Sequence, residues 1–296
     1  MMRMENKKNA SGLRYPPFRP YVKKKGSTLE FGDYYQAKFK LPFANGFRFV
    51  RVWLPPEYEA NPDIRFPVIY FSDGQNLVDK ALTAYGDWHL DKVVHSLSEE
   101  GIVSPILVGL DCPKDALQRS NELNPPFAIK PSMRRRHAGP DKPIGDQYID
   151  FMADVVRPLI NQLFRTDARK EATGIGGSSM GGIMAFYAYF RRPEVFGFSL
   201  AFSIPAFFYQ PKRWEELVKS WDIDPKKHGK LAIFVGGEGF EKEFTPGVQA
   251  TVSFLREAGY GDDQLEFYFD PALPHHEESW AKYAAPAFRF WLQGLD

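Results

Sequence analysis

Residues 172–190 read ATGIGGSSMGGIMAFYAYF: a short apolar run, a knot of glycine and serine, then a second apolar run of helical length. The strand-like 172–176 leads into the knot and the helical 184–190 leads out of it. A strand that turns this sharply into a helix holds the residue at its tip in strained backbone geometry, which a packed sheet can tolerate. Side chains two positions before and after the tip would then collide. Gly177 and Gly181 flank Ser179 at those distances, and Gly176 and Gly182 thin the turn further. Ser178 at the tip would put Met180 where a small residue is needed, so the register selects Ser179. The plainer reading, a glycine-rich turn with two surface serines, does not account for the strand before it or the helix after it.

Working outward, the same alternation recurs. Residues 37–41 and 47–54 read as two strands rich in aromatic and β-branched residues, pairing antiparallel at one edge of a sheet. Residues 66–71 (FPVIYF) and 105–110 (PILVGL) read as strands buried on both faces. Between them Leu90, Val93, Val94 and Leu97 recur at helical spacing, with Gly101 as a stop. Further strands are expected at 172–176, 197–203, 231–235 and 265–269, and further helices at 146–164, 182–190, 248–258 and 279–292. Pro158 should kink the first of these helices. Strands and helices in this order predict an α/β fold, a mostly parallel central sheet covered by helices on both faces, in the α/β-hydrolase layout. Residues 111–145 hold six of the 24 prolines and the run Arg134-Arg135-Arg136, and read as a long irregular segment.

A chain of 296 residues with 44% apolar and 25% charged residues is an ordinary globular protein. Its net charge of +1 points to neither nucleic acid nor anionic membrane as a partner. The charge is uneven: residues 1–25 carry eight Lys/Arg against Glu5, a net of +7, which leaves −6 on the rest. Residues 1–30 are therefore read as a basic arm, and 31–296 as a single catalytic domain. The lone Cys112 excludes an intrachain disulfide and reads as a buried structural thiol. No apolar leader or membrane-length apolar stretch occurs, so a cytoplasmic location is expected. No metal-ligand spacing and no nucleotide fingerprint is present, so no cofactor is expected.

A serine hydroxyl becomes a nucleophile only when an imidazole takes its proton, and that imidazole needs a carboxylate to fix its tautomer. In this fold the order along the chain is serine, acid, histidine. His228 lies in a charged turn and is expected to be solvated. His275 and His276 follow the last strand, where a catalytic histidine belongs, with His275 the choice and His276 the reserve. The acid should follow strand 231–235. Glu238 is the first carboxylate available there, with Glu241 and Glu243 close behind. An oxyanion hole needs two converging N–H groups. Met180, next after the nucleophile, is one, and Gln75 in the turn Ser72-Asp73-Gly74-Gln75-Asn76 is the other.

These segments together resemble the esterase family that includes enterochelin (siderophore) esterases, carbohydrate-type acetyl and feruloyl esterases and S-formylglutathione hydrolases. The resemblance covers roughly residues 45–293 and is carried by Tyr70 to Leu77 (YFSDGQNL), Val108 to Asp111 (VGLD), Arg119 to Pro125 (RSNELNP), the elbow Gly177 to Gly182, Pro193 to Gly197 (PEVFG) and the H-x-E-x-x-W pattern His275 to Trp280. It implies a serine esterase acting on a small-molecule ester, and favours His275 over His276. Two departures stand out. The family's usual acid position, three residues beyond Gly236, is Gly239, and some relatives work with a Ser-His dyad. The segment Ser203-Ile204-Pro205-Ala206-Phe207 replaces the usual S-P-S-x-W, which implies an altered pocket wall. Asp73, Trp88 and Arg119 are candidate pocket residues; Trp88 reads equally as a core residue, and Arg119 and Glu122 also read as an ion pair bracing their loop. Acyl transfer on the same machinery, or a binding protein that kept the fold, are the competing readings. The intact elbow and His275 argue against the second.

Overall fold

The computed structural model describes residues 16–127, Ser132 and 143–295. Among the described residues nine strands form one sheet in the order β1-β2-β3-β5-β4-β6-β7-β8-β9. They are β1 Arg19–Pro20, β2 Asp33–Lys40, β3 Phe47–Leu54, β4 Val68–Ser72, β5 Ile106–Leu110, β6 Thr173–Ser178, β7 Phe198–Phe202, β8 Lys230–Gly236 and β9 Leu265–Asp270. The first three are antiparallel, joined to the rest through β3 against β5. From β5 across to β9 every pairing is parallel. This is the expected α/β-hydrolase arrangement.

The sheet divides the core in two, as strand alternation requires. Val68 and Tyr70 of β4 face one apolar cluster, which the helices Met180–Arg191 and Thr245–Glu257 cover. Ile69 and Phe71 face the other, covered by helices Leu90–Glu99 and Glu277–Leu292. With helices on both sides, β4, β5 and β7 are buried along their whole length, which explains why they are apolar apart from Ser72 and Ser199.

The helix expected at 146–164 runs as Gly145–Phe151, a π turn over Met152–Val156, then Arg157–Leu163. Pro158 cannot donate to the carbonyl four residues back and its ring crowds that carbonyl, so the backbone widens just ahead of it. One helix lies within 111–145, where irregular chain was expected, and another lies between β7 and β8. Ala116–Glu122 is capped by Asp115, whose carboxylate accepts from Gln118 N–H at 2.7 Å. Pro211–Ser220 begins with proline, which loses nothing at a helix start.

The boundary drawn at residue 30 is corrected by what the preceding residues touch. Phe18 is buried against Phe39 and Phe164. The hydroxyls of Tyr21 and Ser27 donate to Asp79 Oδ2 at 2.8 and 2.7 Å, and Thr28 N–H donates to Asp79 Oδ1. Glu30 and Phe31 N–H groups donate to Asp91. Asp79 and Asp91 are fully buried, and a buried carboxylate needs donors. The chain from Phe18 onward supplies them and so belongs to the domain. Arg3, Lys7, Lys8, Arg14 and the run Arg134–Arg136 lie outside the described residues.

Candidate active site

β6 ends at Ser178, and Ser179 sits between it and helix Met180–Arg191 with φ 55° and ψ −120°. A non-glycine residue held there costs about 1–3 kcal/mol, which persists only when its surroundings over-determine it. Here they do. Ser179 N–H donates to the Phe202 carbonyl of β7 at 3.0 Å, and its own carbonyl accepts the first helical bond, from Ile183. A methyl group on Gly177 would lie 2.6 Å from the Gly181 carbonyl carbon, so the steric reading of the elbow holds. One on Gly182 would lie 2.1 Å from the Phe202 oxygen, the atom that also holds Ser179. Gly182→Ala is therefore expected to cost about 2–3 kcal/mol through overpacking, read as a lowered urea midpoint, and to slow whatever reaction Ser179 performs. Behind Ser179, the first N–H groups of the helix have no intrahelical acceptor and carry the positive end of its dipole. Met180 N–H is the first of them.

The turn after β4 lies against this helix start. Asp73 takes a left-handed conformation (φ 55°), a single 3-10 turn spans Gly74–Asn76, and Asn76 N–H closes onto the Asp73 carbonyl at 2.9 Å. Ser72 is close enough to limit what Gly181 can carry. The side chain of Gln75 is engaged: its Nε2 donates to Cys112 Sγ and its Oε1 accepts from Cys112 N–H at 3.0 Å. Its backbone amide is thereby fixed in the turn. Cys112 is half-buried, and burial pushes its thiol well above the ordinary range, away from thiolate chemistry.

Arg119 does not pair with Glu122. Its Nε and Nη2 donate to both oxygens of Asp73 at 2.8 and 2.7 Å, while Glu122 takes Arg48 at 2.5 Å. Each buried charge has found its opposite on another element, because an unpaired Asp73 or Arg48 would cost more than a pair within one helix gains. Burial alone would raise the Asp73 carboxyl; the Arg119 guanidinium beside it overcomes that and holds it below the usual carboxylate range. Asp73 and Arg119 thus brace the turn. Removing Arg119 leaves a buried carboxylate without its counter-charge, so Arg119→Ala should cost about 3 kcal/mol at neutral pH. The sign follows from the depressed Asp73 pKa: this stability is present above the unfolded value near 3.9 and is lost as pH falls through the folded one. Unfolding midpoints of wild type and variant should differ at pH 7 and converge in strong acid. Trp88 takes the core position that was its other reading. It is buried, stacked on Phe202 at 5.8 Å and packed on Trp280 and Phe71, a core residue.

His275 lies in the loop between β9 and helix Glu277–Leu292. Its Nδ1 meets Glu241 Oε1 at 2.6 Å, which leaves Nε2 as the nitrogen free to serve another group. The ring is stacked on Phe244 at 4.6 Å and meets Trp280 edge-on at 4.9 Å. The carboxylate expected there was Glu238. Glu238 is exposed, as is Glu243, and Glu241 is the fully buried one. Two residues more than the family's spacing separate it from Gly236, and the 3-10 turn Gly239–Glu243 folds that excess back. Glu241 Oε2 accepts from Gly236 N–H at 3.2 Å, and Oε1 accepts from Ser203 Oγ at 2.6 Å. Ser203 is itself strained (φ 49°), fully buried, and accepts from Trp280 Nε1 at 2.9 Å. Sequence reading missed it; its one visible trace was the departure beginning at that residue. Phe207 of the same segment packs on Phe240 and Phe244, so an aromatic wall stands beside His275. His276 caps the last helix, Nδ1 accepting from Glu278 N–H. His228 is not solvated: its ring lies against Tyr189 and Phe190, Nε2 meets the Asp222 carbonyl, and burial lowers its pKa.

Sheet order and elbow define the class as an α/β-hydrolase-fold protein. The sequence model of the family described as "Putative esterase" matches residues 44–285. The chain belongs to this esterase family and is a carboxylic ester hydrolase. It is 23% identical to the uncharacterized protein YbbA of Bacillus subtilis over 84% of its own length and 94% of that protein. It is 32% identical to the siderophore triacetylfusarinine C esterase of Aspergillus fumigatus over 46% of this chain and 43% of that one. Among solved structures, an IroE-like serine hydrolase from Shewanella oneidensis superposes with a TM-score of 0.66 at 18% identity, covering 88% of this chain and 80% of the other. That likeness is one of fold. Among the described residues no helix is long and apolar enough to cross a membrane.

Proposed function

We propose that the protein hydrolyses a small-molecule carboxylic ester through an acyl-enzyme on Ser179, with His275 as general base and Glu241 as its orienting acid. The observation that carries this reading is the strained elbow at Ser179 together with a histidine, from the loop after the last strand, locked to a fully buried carboxylate. Ser179 Oγ attacks the ester carbonyl carbon while its proton passes to His275 Nε2. The carbonyl oxygen, now an anion, is held by the N–H groups of Met180 and Gln75, each worth several kcal/mol in such a site. The tetrahedral intermediate collapses, the alcohol leaves with the proton from His275, and water then repeats the sequence to free the acid. Glu241 keeps Nδ1 protonated and stabilises the imidazolium that forms twice per cycle.

The aromatic wall of Phe207, Phe240 and Phe244 supports an ester with an apolar group beside the scissile bond; Phe240 is exposed there. Siderophore esters, suggested by the Aspergillus relative, are the first to assay. The test is labelling with a fluorophosphonate followed by peptide mass spectrometry. The modified residue should be Ser179; a label elsewhere, or none, would remove the proposal.

A further inference from the structure

Glu277 is an expensive residue in its place. It is 6% exposed, the first residue of helix Glu277–Leu292, and burial pushes its carboxyl above the ordinary range. An acid in a first helical turn suits the dipole, but the neighbouring Glu278, which is exposed, already supplies one without desolvation. What Glu277 does instead is reach across the site. Its Oε1 accepts from Asn76 Nδ2 at 3.3 Å. Asn76 follows Gln75 directly, and its carbonyl accepts from Trp88 N–H at 2.8 Å. Trp88 in turn packs on Trp280, which meets the His275 ring edge-on. The oxyanion turn and the histidine loop, about 200 residues apart in the chain, are therefore tied by one polar bond and one aromatic contact.

We infer that Glu277 is a positioning residue: its bond to Asn76 holds the Gln75 amide in register with Ser179 and His275. This rests on the acyl-enzyme reading above. An oxyanion donor works only when it is aimed at the developing charge, and a misplacement of about 1 Å can cost on the order of 100-fold. Because the bond rather than the charge does the holding, an amide in place of the carboxyl preserves it.

The test is the second-order rate of fluorophosphonate reaction at Ser179, a step that needs the same hole and no known substrate. Glu277→Ala and Asn76→Ala should each slow it by roughly 10- to 100-fold, the double variant should be no slower than the worse single, and Glu277→Gln should stay within about 3-fold of wild type. On any ester that wild type turns over, kcat should fall with KM nearly unchanged. Circular dichroism and thermal unfolding check that each variant is folded; if Glu277→Ala is not, Asn76→Ala, at a half-buried position, carries the test. Single variants reacting within about 2-fold of wild type, multiplying effects in the double, a Glu277→Gln as slow as the alanine, or a change confined to KM would each overturn the inference. Wild type that does not label at all removes the nucleophile reading and this one with it; wild type that labels beside an equally fast Glu277→Ala removes this one alone.

Discussion

Replacing Ser179 with alanine will abolish ester turnover, with kcat falling by about 10⁴- to 10⁶-fold. The side chain that goes is the one that would form the covalent bond, so no rearrangement of neighbours substitutes for it. The residual rate, on the order of 10³-fold over water, would come from the oxyanion donors and from binding. Alanine is smaller than serine and keeps the Ser179 N–H bond to the Phe202 carbonyl available. The variant should thus fold, with thermal stability equal to or above wild type, since catalytic groups are retained at some cost in strain and polar burial. Turnover is read on a panel of esters, and fluorophosphonate labelling runs beside it. Retention of wild-type turnover on every hydrolysed ester would place the nucleophile elsewhere.

The second large effect separates two glutamates three residues apart. Glu241→Gln should lower kcat by about 10³- to 10⁴-fold, because a carboxamide no longer fixes the His275 tautomer or stabilises its cation. Glu238→Ala should stay within about 2-fold of wild type, since Glu238 is an exposed loop residue. Glu241→Ala should add a stability loss of about 2–3 kcal/mol, leaving the Ser203 hydroxyl and Gly236 N–H buried without their acceptor. The comparison is made on kcat at one fixed pH for all variants, with urea midpoints measured on the same samples. Equal effects at 238 and 241, or none at either, would return the site to a serine-histidine pair without an acid.

Much of this protein was legible in one dimension. The strands and helices were, because a strand buried on both faces must be apolar throughout and a covering helix must be apolar at intervals of three and four. Ser179 was legible because the collision that demands Gly177 and Gly181 is a matter of neighbours two residues away. The place of His275 after the last strand was legible from the order of the elements.

What only the tertiary structure decided are partnerships between distant residues. Glu238, Glu241 and Glu243 are equivalent on paper; the path of one 3-10 turn buries the middle one against a histidine 34 positions on. Arg119 passed over Glu122 for Asp73, 46 positions back, and Ser203 gained its role by lying under Glu241. Local sterics act through covalent neighbours and so can be read from sequence order. Charge pairing and burial act through space, where the choice among similar side chains depends on which of them the fold removes from water.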